Sequence, residues 1–69
     1  MKYLSHEKAI NHVNNILGED VSKEFEKQLS VAGEHGDRNF FVGNSKGKEI
    51  EVGVEWDKEA DQLTYFIHE

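Results

Sequence analysis

The chain has no cysteine. That excludes a disulfide framework and a thiolate-bound metal, so neither can supplement the apolar core, and it leaves the redox compartment open. Long apolar runs are also missing. None approaches the roughly 20 residues of a membrane span, and no signal-peptide h-region follows Met1-Lys2-Tyr3. The expected location is therefore cytoplasmic, with no membrane partner. Apolar residues make up only 36% of the 69, which is low for a globular domain, yet they are well patterned, and this favours a fold over disorder. The length fits a single domain spanning residues 1–69. At that size folding buries only about 60% of the unfolded chain's surface, so stability is modest.

Basic residues are nearly missing from the last 21 positions. Residues 1–48 carry seven acids and seven bases and sum to zero. Residues 49–69 carry Glu49, Glu51, Glu55, Asp57, Glu59, Asp61 and Glu69 against Lys58 alone, and so hold the whole net charge of −6. A pI near 5.1 disfavours direct nucleic-acid binding, which requires cations to displace condensed counterions. It equally disfavours an anionic membrane surface. A protein partner with a basic surface is favoured by complementary charge.

Ser5 reads as an N-cap, with Glu7 in the first turn. Ala9, Ile10, Val13, Ile16 and Leu17 follow at three- and four-residue steps, and Gly18 suits a left-handed stop. Leu4 is placed to pack back on Ala9 as a weak staple. Asp20 or Ser22 then caps a second helix, with Val21, Phe25 and Leu29 on one stripe. Gly33 is the expected stop, and residues 33–38 read as a loop. Two endings stay open: a helix that ends before Ser30, with Leu29-Ser30-Val31 starting a short strand, or a helix that continues to Ala32.

The remainder alternates with period two, as strands do. A three-residue loop, Ser45-Lys46-Gly47, pairs Val42 with Ile50 and Phe40 with Val52. A four-residue loop, Lys58 to Asp61, pairs Trp56 with Leu63, Val54 with Tyr65 and Val52 with Ile67. Those six are expected on the inner face, Trp56 and Tyr65 among them as core residues. A four-residue loop in the first hairpin would instead turn Phe41 inward and expose Phe40 and Val42, so the register of the 39–50 hairpin stays open. The predicted fold class is α+β: two N-terminal helices packed on one face of a three-stranded antiparallel β-meander (ααβββ).

The outer face of that sheet collects Phe41, Glu49, Glu51, Glu55, Asp57, Thr64, Phe66 and His68. Phe66 falls opposite Gly53, where an aromatic compensates for a strand glycine. His68 falls opposite Glu51 and reads as its cross-strand ion-pair partner. Charge runs usually just solvate a face. The sharper reading is a partner-binding surface made of Glu49, Glu51, Glu55, Asp57, Phe41, Phe66 and His68, an apolar centre with a charged rim. Carboxylates at i, i+2 stand about 6.6 Å apart on a strand, comparable to the gap between neighbouring phosphates on one nucleic-acid strand. In length, acidity and helix-then-sheet order the chain resembles small viral inhibitors of DNA-handling enzymes, such as the uracil-DNA glycosylase inhibitors. That likeness implies inhibition of a nucleic-acid-handling protein by charge mimicry, as virus- or mobile-element-encoded inhibitors do.

Other motifs carry less. His6 and His12 are six apart on one helix and face different sides, and Glu34-His35-Gly36-Asp37 lacks metal-ligand spacing, so no metal site is expected. Gly43-Asn44-Ser45-Lys46-Gly47-Lys48 is one residue short of a phosphate loop and joins two strands. No nucleophile has an elbow context and no cofactor motif occurs, so no catalytic residue is assigned and a non-enzymatic role is expected. Asn11, His12, Asn14 and Asn15 give the first helix an amide-rich face. An alternative function is therefore a structural or assembly module that homodimerises through the exposed sheet face or this Asn-rich helix.

Overall fold

A computed structural model describes residues 3–68. The chain forms α1 (His6–Leu17), α2 (Ser22–His35), β1 (Asn39–Gly43), β2 (Glu49–Asp57) and β3 (Gln62–His68). The strands form one antiparallel sheet in the order β1-β2-β3, which is the expected ααβββ meander. Both registers match the alternation: Phe40 pairs with Val52, Val42 with Ile50, Val54 with Tyr65 and Trp56 with Leu63. The first loop is the three-residue one. Gly47 takes a left-handed φ of 84°, and Asn44 Oδ1 accepts the Lys46 and Lys48 N–H groups, 3.0 Å each. This turn is also tied to the helices. The Asn44 amide donates to the Leu17 carbonyl at 2.9 Å, and the Ser45 hydroxyl donates to Glu19 at 2.8 Å.

Ser5 Oγ caps α1 by accepting the Lys8 N–H, and Gly18 ends it at φ 68°. Asn14 is not a surface amide: its Oδ1 accepts the Val21 N–H at 2.8 Å and so fixes the turn into α2. Asp20 sits one residue before the N-cap of α2 and accepts from the Ser22 hydroxyl (2.6 Å) and N–H (3.0 Å). Those bonds, the hydroxyl's first, hold the Asp20 pKa below the usual 3.8. A lowered carboxylate pKa contributes stability above the unfolded value and loses it as pH falls through the folded one, so this turn weakens only in acid. α2 does not stop at Gly33. It runs to His35, and Gly36 supplies the left-handed cap at φ 71°. A helix tolerates an interior glycine at a cost of about 1 kcal/mol, and Ala32, just before it, is 4% exposed in the core.

The helices cover one sheet face. Ala9, Val13 and Leu17 of α1, Val21, Phe25 and Ala32 around α2, and Phe40, Val42, Ile50, Val52 and Tyr65 of the sheet form one core. Phe25 is its hub, with ring centroids 5.2 Å from Phe40, 5.6 Å from Tyr65 and 5.7 Å from His6. The Tyr65 hydroxyl is satisfied at His6 Nδ1 (2.9 Å), and His6 Nε2 meets Glu26 Oε1 at 2.6 Å. A carboxylate only accepts, so Nε2 is the donor in the contact with Glu26. This chain joins α1, α2 and β3. Burial, then the charge of Glu26, raises the Tyr65 pKa above 10.

Trp56 and Leu63 depart from expectation. They occupy the inner-face register but are 52% and 36% exposed. Alternation fixes which side a residue faces, not how far the covering layer reaches. A 12-residue helix spans about 18 Å, whereas a nine-residue strand spans about 30 Å. The far end of the β2–β3 hairpin therefore projects past the helices.

The amino-terminal segment closes one sheet edge. Leu4 forms an antiparallel bridge to Tyr65, donating at 2.6 Å and accepting at 2.9 Å. Its side chain packs against the core, a larger role than a staple on Ala9.

Candidate interaction face

The face of the sheet opposite the helices holds the sequence-predicted site. On β2 the side chains of Glu49, Glu51, Glu55 and Asp57 follow one another on that face, interrupted by Gly53. Phe41 lies beside Glu51 in register and is 54% exposed. Phe66 lies beside Gly53, and its ring rests over the glycine so closely that a Cβ there would collide with it. The missing side chain makes room for the aromatic, as the register implied.

Each acid of the row except Glu49 has a local donor, and each donor is neutral. Asn39 donates its amide to Glu51 at 2.5 Å. Tyr3 donates its hydroxyl to Glu55 at 2.8 Å. Asp57 Oδ1 accepts the Glu59 and Ala60 N–H groups at 3.0 and 3.3 Å. Neutral donors orient a carboxylate without cancelling its charge. The His6–Glu26 contact lies away from this row. The expected His68–Glu51 pair does not form. Glu51 turns toward Asn39, and the His68 ring packs edge-on against Phe66, 4.6 Å between centroids. Strand registry brings Cα atoms together, but the aromatic neighbour two residues back competes for the imidazole.

Tyr3 was not anticipated. Leu4 points into the core, so its neighbour points to the other side of the sheet, where the Tyr3 ring meets Phe66 edge-on at 5.7 Å. The only sequence signal was that Tyr3 and Leu4 alternate, and nothing in the spacing linked them to β3. Glu55 raises the Tyr3 pKa, first through the hydrogen bond and then through its charge. A raised tyrosine pKa gives a contribution that is complete below 10 and is lost as pH rises through the folded value. Tyrosinate absorbance should show both tyrosines of the chain titrating above 10. Glu55→Gln should move Tyr3 alone back toward 10; no movement would show that the contact is not populated.

An open cleft of about 730 Å³ crosses this face, bordered by Tyr3, Arg38, Asn39, Glu55, Phe66 and His68. Arg38 gives it one cationic wall. Trp56 reaches its border and, with Asp57 and Lys58, lines a smaller adjoining hollow of about 320 Å³. Of the seven predicted residues, Glu55, Phe66 and His68 converge on the cleft or its border. Glu49, Glu51, Asp57 and Phe41 extend the same face on either side. Sequence reasoning missed Tyr3, Arg38, Asn39 and Trp56. No set of three or more His, Cys, Asp or Glu among the described residues is arranged to hold a metal, and no described helix is long and apolar enough to cross a membrane. Comparison with known protein families, curated proteins and solved structures finds no match to this chain.

Proposed function

We propose that the chain is a non-enzymatic binding protein that modulates or inhibits a partner through the partner's basic surface, using the outer face of its sheet. One observation carries the reading: four carboxylates share one face of one strand, and those that have donors are held by neutral groups, beside an exposed Phe41. Such a row presents fixed negative charge as two pairs, about 6.6 Å within each pair and about 13 Å across Gly53. A surface of Lys and Arg built to grip phosphates would meet it with matching charge. A nucleic-acid-handling protein is thus the partner class proposed, held by charge mimicry. Phe41 and Phe66 supply the apolar centre around which charged rims work. Affinity capture from a cell lysate at low and at high salt tests this. A basic protein should be retained at low salt and released as salt screens the contact. Retention of no basic protein, or binding indifferent to salt, would remove the proposal.

A further inference from the structure

The sheet has two edges, and the chain treats them differently. At β3, Leu4 occupies the edge at Tyr65. At β1, no described segment lies alongside the strand. The backbone of Arg38 faces β2, since its carbonyl accepts the Val54 N–H at 2.8 Å. Backbone groups alternate sides along a strand, so the N–H and C=O groups of Asn39, Phe41 and Gly43 face outward. This edge carries neither a charged residue nor a proline within 39–43, two of the usual guards of an exposed edge.

We infer that β1 pairs with β1 of a second copy of this chain, antiparallel and across a two-fold axis at Phe41, to make one continuous six-stranded sheet. Strand addition at a free edge is a common recognition mode, and a two-fold contact needs a self-complementary patch. This one qualifies. Phe41 meets Phe41 and Asn39 meets Gly43, so all the outward backbone groups are satisfied. Aromatic cross-strand pairs are favourable. Extended outward, the register sets Arg38 opposite Asn44 and Asp37 opposite Ser45, so no like charges oppose one another. The nearest acids of the row, Glu51 of each copy, are three strand spacings apart, about 14 Å, which exceeds the Debye length of about 8 Å in physiological salt.

The helical layer agrees. α2 packs on β1, while α1 packs on β3. Glu26 marks the flank of α2 that faces α1, through His6. At 3.6 residues per turn, Val31 lies on the opposite flank of the Phe25–Ala32 stripe, the flank that overhangs the β1 edge. It is 39% exposed. A second copy would cover Val31 above the edge, and below it the two Phe41 rings would stand side by side on the outer face. The pairing leaves the acidic row in place and doubles it across one sheet.

Sedimentation equilibrium over a concentration series, with amide hydrogen exchange at Phe41, tests the inference. The intact chain should dimerise with concentration, and exchange at the Phe41 amide should slow in step. Phe41→Pro removes an outward N–H and leaves the ladder to β2 intact. Phe41→Lys keeps the backbone and opposes two ammonium groups. Both should weaken dimerisation about tenfold or more. A monomer at every concentration would overturn the inference. So would a dimer whose Phe41 amide exchanges freely, or one undiminished in both variants.

Discussion

Phe25→Ala should lower the stability of the protein by about 3–5 kcal/mol. Phe25 is fully buried and is the ring against which Phe40, Tyr65 and His6 all pack. Truncating a buried phenylalanine costs about 3–5 kcal/mol, from lost transfer energy and from the cavity left behind. At about 0.05–0.15 kcal/mol per residue, a chain of this length has a total stability of about 3–10 kcal/mol. No disulfide supplements it. The loss therefore takes a large share of the margin, and it also withdraws the surface on which the His6–Tyr65 bond sits. Urea unfolding followed by circular dichroism measures it. Phe41→Ala, which removes a ring 54% exposed, should shift the midpoint little. A loss below about 1 kcal/mol for Phe25→Ala would mean that the helices do not pack on the sheet as described.

The second large effect is on binding. Glu51→Lys with Glu55→Lys should weaken capture of a basic partner by a hundredfold or more, about 2.7 kcal/mol. Each substitution replaces an attraction at the contact with a repulsion, and close charge pairs at interfaces couple by about 1.5–7 kcal/mol. The fold should survive. The lost partners, Asn39 and Tyr3, are neutral and exposed, so no buried charge is orphaned. The net charge moves from −6 to −2, because each exchange adds two, and that alone slows encounter with a cation. Glu7→Lys with Glu34→Lys makes the same change on exposed helix positions and separates the two effects. The helix pair should retain most of the affinity. Equal losses in the two double variants would mean that overall charge, not this face, governs binding.

The sheet was legible in the sequence because its signals are local and mutually constraining. Gly47 pointed to a three-residue first loop, while the four-residue alternative stayed open until the pairing of Val42 with Ile50 was seen. The four-residue loop Lys58 to Asp61 set the second. Each hairpin independently turned Val52 inward, so a slip in either would have been inconsistent with the other. The Gly53–Phe66 contact followed from that register alone. What escaped depended on the third dimension. The reach of two short helices decided that Trp56 and Leu63 stand clear of the core. A single bridge at Leu4, with no strand-length pattern to announce it, carried Tyr3 over the outer face. Gly33 resembled a stop, but it is Gly36 that carries the left-handed φ and ends the helix. For His68, pairing gave the correct neighbour strand and the wrong contact, because Phe66 competes for the ring and Asn39 for the carboxylate. The acid row was legible as geometry; the neutral donors that orient it were not.

The most direct test is a backbone-amide NMR titration of the intact chain with the basic protein captured at low salt. Shift changes should concentrate at Phe41, Glu49, Glu51, Glu55, Asp57, Phe66 and His68, and should fade as salt is added. Changes confined to α1 and α2, with the β2 residues of the outer face undisturbed, would contradict the assignment of this sheet face as the binding surface.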